Sequence, residues 1–315
     1  MKFKDYIWPV IGILAVIVSA WLLYRELRSI SLEDVLDSLY AIRAHHWLLA
    51  TAAALLAYSS LAGYDRIALL HLRRKISWLF IALCSFTTYA LSHNIGASVV
   101  SGAVVRYRAY SSQGMPGSEI AVLIAFCSFT FILGVIITSS IVLLLEPHIL
   151  MRFNSDLTPT VSIVIALLML AFVLLYIFGS WLQLRPLQIG KFRLEYPRLP
   201  VVTQQLIVAP LELIGAAGII YFALPEAGNP GFLIILGIFL VSFSAALISH
   251  APGGLGVLEL VFLTGLPDMD QADVLAALIV FRLLYLLIPF AMSLIVVLVF
   301  EKSQFVLRWN DKQKK

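Results

Sequence analysis

Long apolar runs, each long enough to cross a bilayer as a helix, alternate with short polar segments along this chain. A membrane-spanning helix needs roughly 20 mostly apolar residues. Eight segments meet this requirement and are predicted to be transmembrane helices: Tyr6–Tyr24, Trp47–Tyr64, Ile76–Ser92, Ile120–Leu145, Thr158–Leu182, Val202–Leu224, Gly231–Ser249 and Val274–Phe300. The pattern therefore predicts an all-α polytopic membrane protein in which residues 1–315 form a single membrane domain.

Two further apolar segments are too short to cross the bilayer as regular helices. Ile95–Val105 lies between the third and fourth spans, and Val257–Leu266 lies between the seventh and eighth. A helix of about 11 residues covers roughly half of the hydrocarbon core. Both segments follow Gly-rich or Pro-containing turns, which predicts re-entrant or broken helices. Such structure occurs at membrane depth only where it is buried in protein or lines a wet cavity.

The two short segments also resemble copies of each other. The motif Ser92-His93-Asn94-Ile95-Gly96 corresponds to Ser249-His250-Ala251-Pro252-Gly253, and each motif ends a full span. A short apolar segment and then a long span follow in both places. We therefore predict an internal repeat, with related halves around residues 76–145 and 231–300.

An amphipathic stretch separates the first two spans. Ser31, with Asp34 three residues later, is typical of a helix N-cap. Apolar residues then recur at helical spacing between charged ones. Residues 31–46 are therefore predicted to form a helix that lies on the membrane surface.

Composition supports a membrane protein and excludes several kinds of site. Hydrophobic residues make up 61% of the chain and charged residues 13%, whereas soluble domains carry about 25% charged residues. Cys84 and Cys127 lie inside apolar runs and are expected to be buried thiols. With no Cys/His cluster, we predict no metal site, no cofactor and no disulfide framework.

The basic residues indicate an orientation rather than a nucleic-acid partner, because they form short clusters at the ends of apolar runs. These clusters are Lys2/Lys4, Arg73–Lys75, Arg106/Arg108, Arg185–Arg198 and Arg308–Lys315. With eight crossings alone, Arg185–Arg198 falls outside. If each short segment completes a crossing, all five clusters lie inside, the acidic loop Pro267–Asp273 lies outside and the halves are inverted. We favour this arrangement, in a bacterial inner membrane with both termini cytoplasmic; re-entrant hairpins are the alternative.

Ionisable residues inside the spans are the first candidates for a functional site, because each costs at least ~2.5–3.5 kcal/mol at a helix centre. Glu212 lies in the middle of the sixth span. It is expected either to be structural, paired with a buried arginine or protonated and hydrogen-bonded, or to face a cavity and meet a cation or carry a proton. Arg282 lies in the eighth span with Tyr285 one turn on, and its planar fork of donors suits phosphate. The alternative for Arg282 is a structural pair with Glu212 or Glu259.

Two arginines follow the first short segment. Arg106 and Arg108 alternate with tyrosines in Val105–Tyr110. They are expected either to capture a lipid phosphate at the mouth of a cavity or to serve as positive-inside anchors with interfacial aromatics.

The second short segment begins with a glycine-rich turn that contains Gly253, Gly254 and Gly256. Glycines allow successive backbone N–H groups to converge on an anion, and the following helix would point its positive end at the same place. The alternative is that the turn only makes a tight bend, with Glu259 stabilising the helix N-terminus.

Polar residues near the span ends complete the candidate set. His93 and Asn94 belong to the first repeated motif and His250 to the second. The histidines are either structural hydrogen-bonding residues or ligands. Asp65, in Tyr64-Asp65-Arg66 at the end of the second span, is expected to be interfacial, with an Asp–Arg pair as the structural alternative.

Three groups of residues, in order along the chain, resemble a known family. They are Tyr64-Asp65; Ser92–Gly96 through Gly102, Arg106-Tyr107-Arg108 and Gly114–Gly117; and Pro252–Glu259 followed by Phe281-Arg282 and Tyr285. They resemble the lysylphosphatidylglycerol-synthase transmembrane-region family, which supplies the flippase-type membrane domain of the MprF phospholipid aminoacylases and many free-standing proteins. The resemblance covers essentially the whole chain, and the second group is most similar to short inner-membrane members.

The resemblance implies a lipid-handling membrane protein, with translocation of a phospholipid or lipid-linked head group as the expected activity. The MprF enzymes carry a soluble aminoacyl-transferase domain after the membrane portion, whereas this chain ends at Lys315. Aminoacyl transfer is therefore not expected, and an enzymatic activity is less expected than transport.

Two alternatives to a translocase stay open. The first is an integral-membrane enzyme that modifies a lipid head group, with His93 or His250 and Glu259 as its candidate catalytic groups. The second is an accessory subunit of a lipid-synthesising enzyme, in which the polar residues are structural. The expected partners are membrane phospholipids, with a lipid synthase in the accessory case.

Overall fold

The computed structural model describes residues 32–95, 98–183, 187–189, 192–194, 196–249 and 254–313. The helices in these ranges are α1 (Leu32–Ala41), α2 (Ala44–His71), α3 (Trp78–Ile95), α4 (Ser98–Ser112), α5 (Gly117–Leu145), α6 (Pro159–Trp181), α7 (Leu199–Ala223), α8 (Phe232–Ser249), α9 (Val257–Gly265), α10 (Gln271–Phe281) and α11 (Ile288–Gln313). A 3-10 turn (Ile149–Arg152) follows α5, and a π-helical segment (Arg282–Leu287) joins α10 to α11. Between α6 and α7, the strands β1 (Leu187–Ile189) and β2 (Phe192–Leu194) pair antiparallel.

Six predicted spans are confirmed as helical segments long and apolar enough to cross a membrane. They are Ala44–His71, Gly117–Leu145, Pro159–Trp181, Leu199–Ala223, Phe232–Ser249 and the composite Gln271–Phe300. The chain is therefore a multi-span membrane protein. The predicted span Tyr6–Tyr24 lies outside the described residues. The predicted third span forms α3, which is helical but is not one of the six; its second half carries several serine and threonine residues together with His93 and Asn94.

Helices α3 and α4 pack against each other as an antiparallel pair, here called the first hairpin (residues 78–112). Near the turn, a Cβ on Gly102 would come within 2.8 Å of the Ser92 hydroxyl, so only glycine allows the helices to approach this closely. Farther from the turn, the Tyr110 and Phe80 rings pack 5.9 Å apart. The chain thus enters the bundle along α3 and returns along α4.

Helix α4 differs in length from the predicted segment Ile95–Val105. It runs from Ser98 to Ser112 and has 15 residues, so Arg106 and Arg108 lie within the helix rather than after it. The predicted segment ends at Val105, before the first arginine, because a charged residue is costly inside the bilayer. A buried carboxylate partner removes that constraint, as described below.

Helices α8 and α9 form a second antiparallel pair, the second hairpin (residues 232–265). Gly265 of α9 packs against Ile238 of α8, and Gly254, before α9, packs against Ala246. Helix α9 has nine residues, which agrees with the short predicted segment Val257–Leu266. Its length of about 14 Å covers roughly half of the hydrocarbon core.

The loops of the bundle fall on two opposite faces. On the first, Arg74, just before α3, forms a 2.7 Å ion pair with Glu119 in the first turn of α5. On the second, Arg152 Nη1 donates to the Gly265 carbonyl at 3.0 Å, and His46 Nδ1 lies 2.7 Å from the Phe222 carbonyl oxygen. Each hairpin therefore returns to the face from which it started, and the two hairpins start from opposite faces.

The core of the bundle is the antiparallel packing of α2 on α7, which relies on small residues. A Cβ on Gly215 would lie 2.7 Å from the backbone nitrogen of Ala57 and 2.8 Å from the carbonyl oxygen of Ala53. On α2, a Cβ on Gly63 would lie 2.7 Å from the side chain of Val208. Without a hydrophobic driving force between helices in lipid, such close backbone contact is a main source of helix association.

Helices at the edge of the bundle expose apolar side chains. Most of α6 is exposed, including Leu168, Leu174 and Leu175 at 64–69% of their surface. Helix α1 is shorter than the predicted helix 31–46, and its Val35 is buried while Tyr40 is exposed; its predicted N-cap, Ser31, lies outside the described residues. The apolar outer faces are suited to contact with lipid.

Candidate functional site

Asp65 and Arg106 form a buried ion pair between α2 and α4. Arg106 Nη2 donates to Asp65 Oδ1 at 2.6 Å and Nε donates to Oδ2 at 3.3 Å. Tyr110 Oη donates to the same carboxylate at 2.9 Å, and the Cys127 thiol lies 3.4 Å from it. Two charges are tolerated in a dry interior only when paired and hydrogen-bonded in this way. The cluster joins α2, α4 and α5, and Asp65 and Arg106 lie about 9 Å from the first-face ends of their helices.

This geometry corrects the interfacial position predicted for Asp65. Helix α2 continues to His71 instead of ending near Tyr64, so Asp65 lies inside the bundle and is fully buried. The neighbouring Arg66 points elsewhere and lies 5.4 Å from the Trp78 ring centroid. The partner of Asp65 is 41 positions away, which adjacency in sequence does not indicate.

Glu259 and Arg282 form a second ion pair, between α9 and the π-helical segment. Arg282 Nε donates to Glu259 Oε1 at 2.8 Å. The other carboxylate oxygen accepts the Gly256 backbone N–H at 2.9 Å, so Glu259 also stabilises the N-terminus of α9. Both structural alternatives considered for Glu259 are present at once. The Gly256 N–H is consequently occupied by a carboxylate in this conformation.

Glu212 lies in the middle of α7 and is bound by a tyrosine. Its side chain is 1% exposed, and Tyr285 Oη donates to Oε1 at 2.5 Å. Its second oxygen, Oε2, has no hydrogen-bond partner among the described residues. The described ion pair of Arg282 is with Glu259 rather than Glu212.

Side chains from two other helices donate hydrogen bonds to backbone carbonyls of the π-helical segment. Tyr58 Oη of α2 donates to the Tyr285 carbonyl at 2.9 Å, and Asn94 Nδ2 of α3 donates to the Leu286 carbonyl at 3.1 Å. A π-turn disturbs the regular backbone ladder, so its carbonyls need such partners. π-helical insertions in α-helices are frequent at functional sites.

His93 packs on the same tyrosine near the tip of the first hairpin. Its ring stacks on Tyr285 with centroids 5.2 Å apart and lies 5.8 Å from the Tyr89 ring. Its Nδ1 atom is buried and has no hydrogen-bond partner among the described residues. The guanidinium of Arg106 lies 4.8 Å from the centre of the Tyr89 ring, which is a cation–π distance.

These side chains form a set along the interior of the bundle, here called the polar file. Contacts join Asp65 through to Glu212 and join Arg282 to Glu259, and the two parts meet on the π-helical segment that carries both Tyr285 and Arg282. Its members, in order, are Asp65, Arg106, Tyr89, His93, Tyr285, Glu212, Arg282 and Glu259. The file begins about 9 Å inside the first face, passes the middle of α7, and ends about 9 Å inside the second face at Glu259. Its members come from both hairpins, from α2 and α7, and from the π-helical segment.

The remaining predicted residues lie at the margins or outside the description. Arg108 is exposed on α4. Gly254 and Gly256 adopt positive φ angles of 65° and 78°, which explains why the turn uses glycine. Gly253 and His250 lie outside the described residues. Within the described part of the chain, no group of three His, Cys, Asp or Glu side chains is placed to hold a metal ion.

The tyrosines of the site were not among the sequence candidates, apart from Tyr285. Tyr58, Tyr64 and Tyr110 are at most 9% exposed, and their hydroxyls donate to a carbonyl or a carboxylate. A tyrosine in an apolar run is usually interpreted as an interfacial residue, so burial was not foreseen. Only Tyr58 carried a signal, since it lies well inside a predicted span, where a tyrosine hydroxyl needs a hydrogen-bond partner.

Comparison with known proteins places the chain in a family. Residues 12–293 match the family described as the lysylphosphatidylglycerol synthase TM region. An uncharacterised protein of Synechocystis, slr0712, is 31% identical over 298 residues, which cover 93% of this chain and 91% of that one. Inner membrane protein YbhN of Escherichia coli is 29% identical over 273 residues, which cover 84% and 83%.

A larger enzyme shares the same region. The phosphatidylglycerol lysyltransferase of Staphylococcus haemolyticus is 24% identical over 299 residues, which cover 94% of this chain but 34% of the enzyme. The match over residues 12–293 and the free-standing relatives confirm the resemblance drawn from the motifs. The chain belongs to the lysylphosphatidylglycerol synthase transmembrane-region family.

Proposed function

We propose that this protein moves the head group of a phospholipid or lipid-linked compound across the bacterial inner membrane. The observation that carries the proposal is the polar file, which runs through the interior of a bundle whose outer faces are apolar. Ionisable groups at membrane depth are expensive and generally mark a transported polar group or a relay. Acyl chains would stay in the bilayer while the head group follows the file.

The two arginines of the file suit a lipid phosphate. Arg106 and Arg282 each present a planar fork of donors, now bound by Asp65 and Glu259. A phosphate oxygen can take the place of a carboxylate oxygen in that geometry. We propose that the phosphate exchanges with these carboxylates in turn, so that each arginine keeps an anionic partner throughout.

The two hairpins are the proposed moving parts. Because they start from opposite faces, separation of one hairpin opens the file toward one side while the other stays closed. Half-crossing elements around a central site are typical of transporters with inverted repeats. The name of the matched phosphatidylglycerol lysyltransferase supports a phospholipid as the substrate class.

The first face is proposed to be cytoplasmic. Its loops carry Arg73, Arg74, Lys75 and Arg198, whereas the loops of the second face carry mainly acidic residues, among them Asp156, Glu226, Asp268 and Asp270. Cytoplasmic loops of inner-membrane proteins are enriched in Lys and Arg.

Reconstitution into vesicles tests the proposal. Vesicles with a fluorescent phospholipid in both leaflets are treated with a membrane-impermeant reductant, for several head groups in turn. The purified chain should make the inner-leaflet fraction accessible faster than in protein-free vesicles, for at least one head group. The proposal is overturned if, for every head group tested, the rate with the purified chain equals the rate in protein-free vesicles.

The same vesicles separate the two alternatives. An enzyme would change the head-group composition when likely donors are added, as measured by mass spectrometry of the extracted lipids. An accessory subunit would neither move nor change lipid by itself.

A further inference from the structure

The most unusual group in the file is the Glu212 carboxyl. It lies 13 residues after the start of α7, about 20 Å along the helix, and is 1% exposed. One oxygen accepts the Tyr285 hydroxyl and the other has no partner among the described residues. A buried polar atom without a partner is uncommon and calls for an explanation.

No cation neutralises Glu212 in the described ion pairs. Arg106 is bound to Asp65 and Arg282 to Glu259. A charged Glu212 would therefore be an isolated buried charge, which is strongly destabilising.

The ionisable groups that face Glu212 are mostly tyrosines. Tyr58 and Tyr64 approach from α2 and Tyr285 from the π-helical segment. From α3, His93 stands behind Tyr285 and Tyr89 packs edge-on to Tyr64. Protonation of Oε2 would remove the negative charge of the Glu212 carboxyl group. It would also turn this oxygen from an acceptor into a hydrogen-bond donor.

We propose that Glu212 is a proton-binding site and that its protonation is coupled to movement of the head group. The inference rests on the proposed transport function. Arg282 lies three residues before Tyr285 on the same π-helical segment. When Glu212 releases its proton, its carboxylate competes with Glu259 for Arg282. Loss of that pair also frees Glu259 from the segment and loosens the second hairpin.

An infrared titration tests the proton site without any transport. The reconstituted protein is titrated with acid and base while the carboxyl C=O band is recorded, for the unmodified chain and for Glu212→Gln. A titrating band that is lost in Glu212→Gln is expected, whereas Glu226→Gln, an exposed residue of the second face, should retain it. Persistence of every titrating band in Glu212→Gln would overturn the proton site.

A second variant covers the case in which Glu212→Gln does not fold. Tyr285→Phe removes only the hydroxyl that donates to Glu212, so the frequency of the Glu212 band should shift. An unchanged infrared spectrum in Tyr285→Phe would contradict the assignment of that band to Glu212.

Coupling is tested by the pH dependence of lipid movement. For the unmodified chain the rate should change by up to about tenfold per pH unit, the limit for one titrating group, while Glu212→Gln should change by less than about twofold over the same range. The same pH profile in both proteins would overturn the coupling. If no lipid moves in the unmodified chain at any pH, the transport function and the coupling fail, while the infrared titration still decides the proton site.

Discussion

Arg106 illustrates how one side chain joins stability to function in this protein. It satisfies Asp65, packs over Tyr89 and sits at one end of the polar file. By contrast, Arg74 pairs with Glu119 at the first face with 43% of its side chain exposed. The two pairs have similar distances, yet water screens only the second.

Removal of the Arg106 charge should therefore be far more harmful than removal of the Arg74 charge. Arg106→Met leaves Asp65 buried without a cation, which is expected to cost about 3–5 kcal/mol of unfolding free energy. Arg74→Met is expected to cost at most about 1 kcal/mol. Unfolding in detergent measures the loss of unfolding free energy in both variants. Equal losses would show that water reaches the Asp65–Arg106 pair as it reaches the Arg74–Glu119 pair.

The geometry of the Arg282 guanidinium should matter for transport beyond its charge. Arg282→Lys keeps the positive charge near Glu259 but loses the planar fork, and the rate of lipid movement should fall about tenfold. Arg152→Lys, which alters a pair with Asp268 at the second face, is the matched control and should keep its rate. Equal rates in the two variants would contradict phosphate recognition by Arg282.

The sequence identified the ionisable side chains that are energetically unfavourable inside a membrane. It only partly predicted how they pair. The pair of Arg282 with Glu259 was one of the two pairings predicted for Arg282, because both residues are ionisable groups within apolar segments. An Asp–Arg pair was one of two expectations for Asp65, but the sequence did not identify Arg106 as the partner, because the two residues are 41 positions apart. Pairing depends on which helix faces meet, and apolar residues surround these helices on every side.

The π-helical segment is the element on which both hairpins converge. It carries Arg282 and Tyr285, and its carbonyls accept hydrogen bonds from Tyr58 and Asn94. Helix α3 is thus attached through its tip and α9 through Glu259. Movement of the first hairpin away from the segment requires the Asn94 hydrogen bond to break, and movement of the second requires the Glu259–Arg282 pair to break. The segment is therefore in contact with both moving parts.

The interface of α2 with α7 is, in contrast, a rigid support. Gly215→Val would force a side chain into the backbone of α2, and overpacking of this kind is expected to cost about 1–3 kcal/mol or more. Ala52→Val, on the exposed side of α2, should change the unfolding free energy by less than about 0.5 kcal/mol. Thermal unfolding of both variants measures these changes. If Gly215→Val leaves the unfolding free energy unchanged, α2 and α7 do not approach each other as closely at Gly215 as described above.

Most helices could be predicted because an apolar run of sufficient length has few alternatives in a membrane. Helix α9 was also predicted closely, since glycine and proline mark its start. Helix α4 was predicted too short, because Arg106 was treated as a boundary. The π-helical segment was not predicted, since nothing in Arg282–Leu287 differs in pattern from a regular helix.

The two faces of the protein differ in charge, with basic loops at the first face and mainly acidic loops at the second. The contacts of Arg74 with Glu119 and of Arg152 with Gly265 assign each loop to a face independently of any membrane. The resulting division agrees with the arrangement that the basic clusters favoured in sequence, because hairpins and completed crossings return the chain to the same side.

Labelling of single cysteines in cells tests the orientation. Gln113→Cys lies at the first face and Ala227→Cys at the second, and both positions are exposed. A membrane-impermeant maleimide added to cells with a permeabilised outer membrane should label position 227 but not position 113, while the native Cys84 and Cys127 are buried. The reverse labelling would place the basic loops outside.

The central claim is that a lipid head group enters the polar file, and photo-crosslinking measures this most directly. The reconstituted protein is irradiated with a phospholipid whose head group is photoreactive, and the adducts are mapped by mass spectrometry. The same lipid with the reactive group on an acyl chain is the control and should label the exposed face of α6, including Leu168 and Leu174. Head-group adducts on Tyr89, Arg282 or Tyr285 are the predicted result. Head-group adducts confined to exposed residues such as those of α6 would contradict passage through the file.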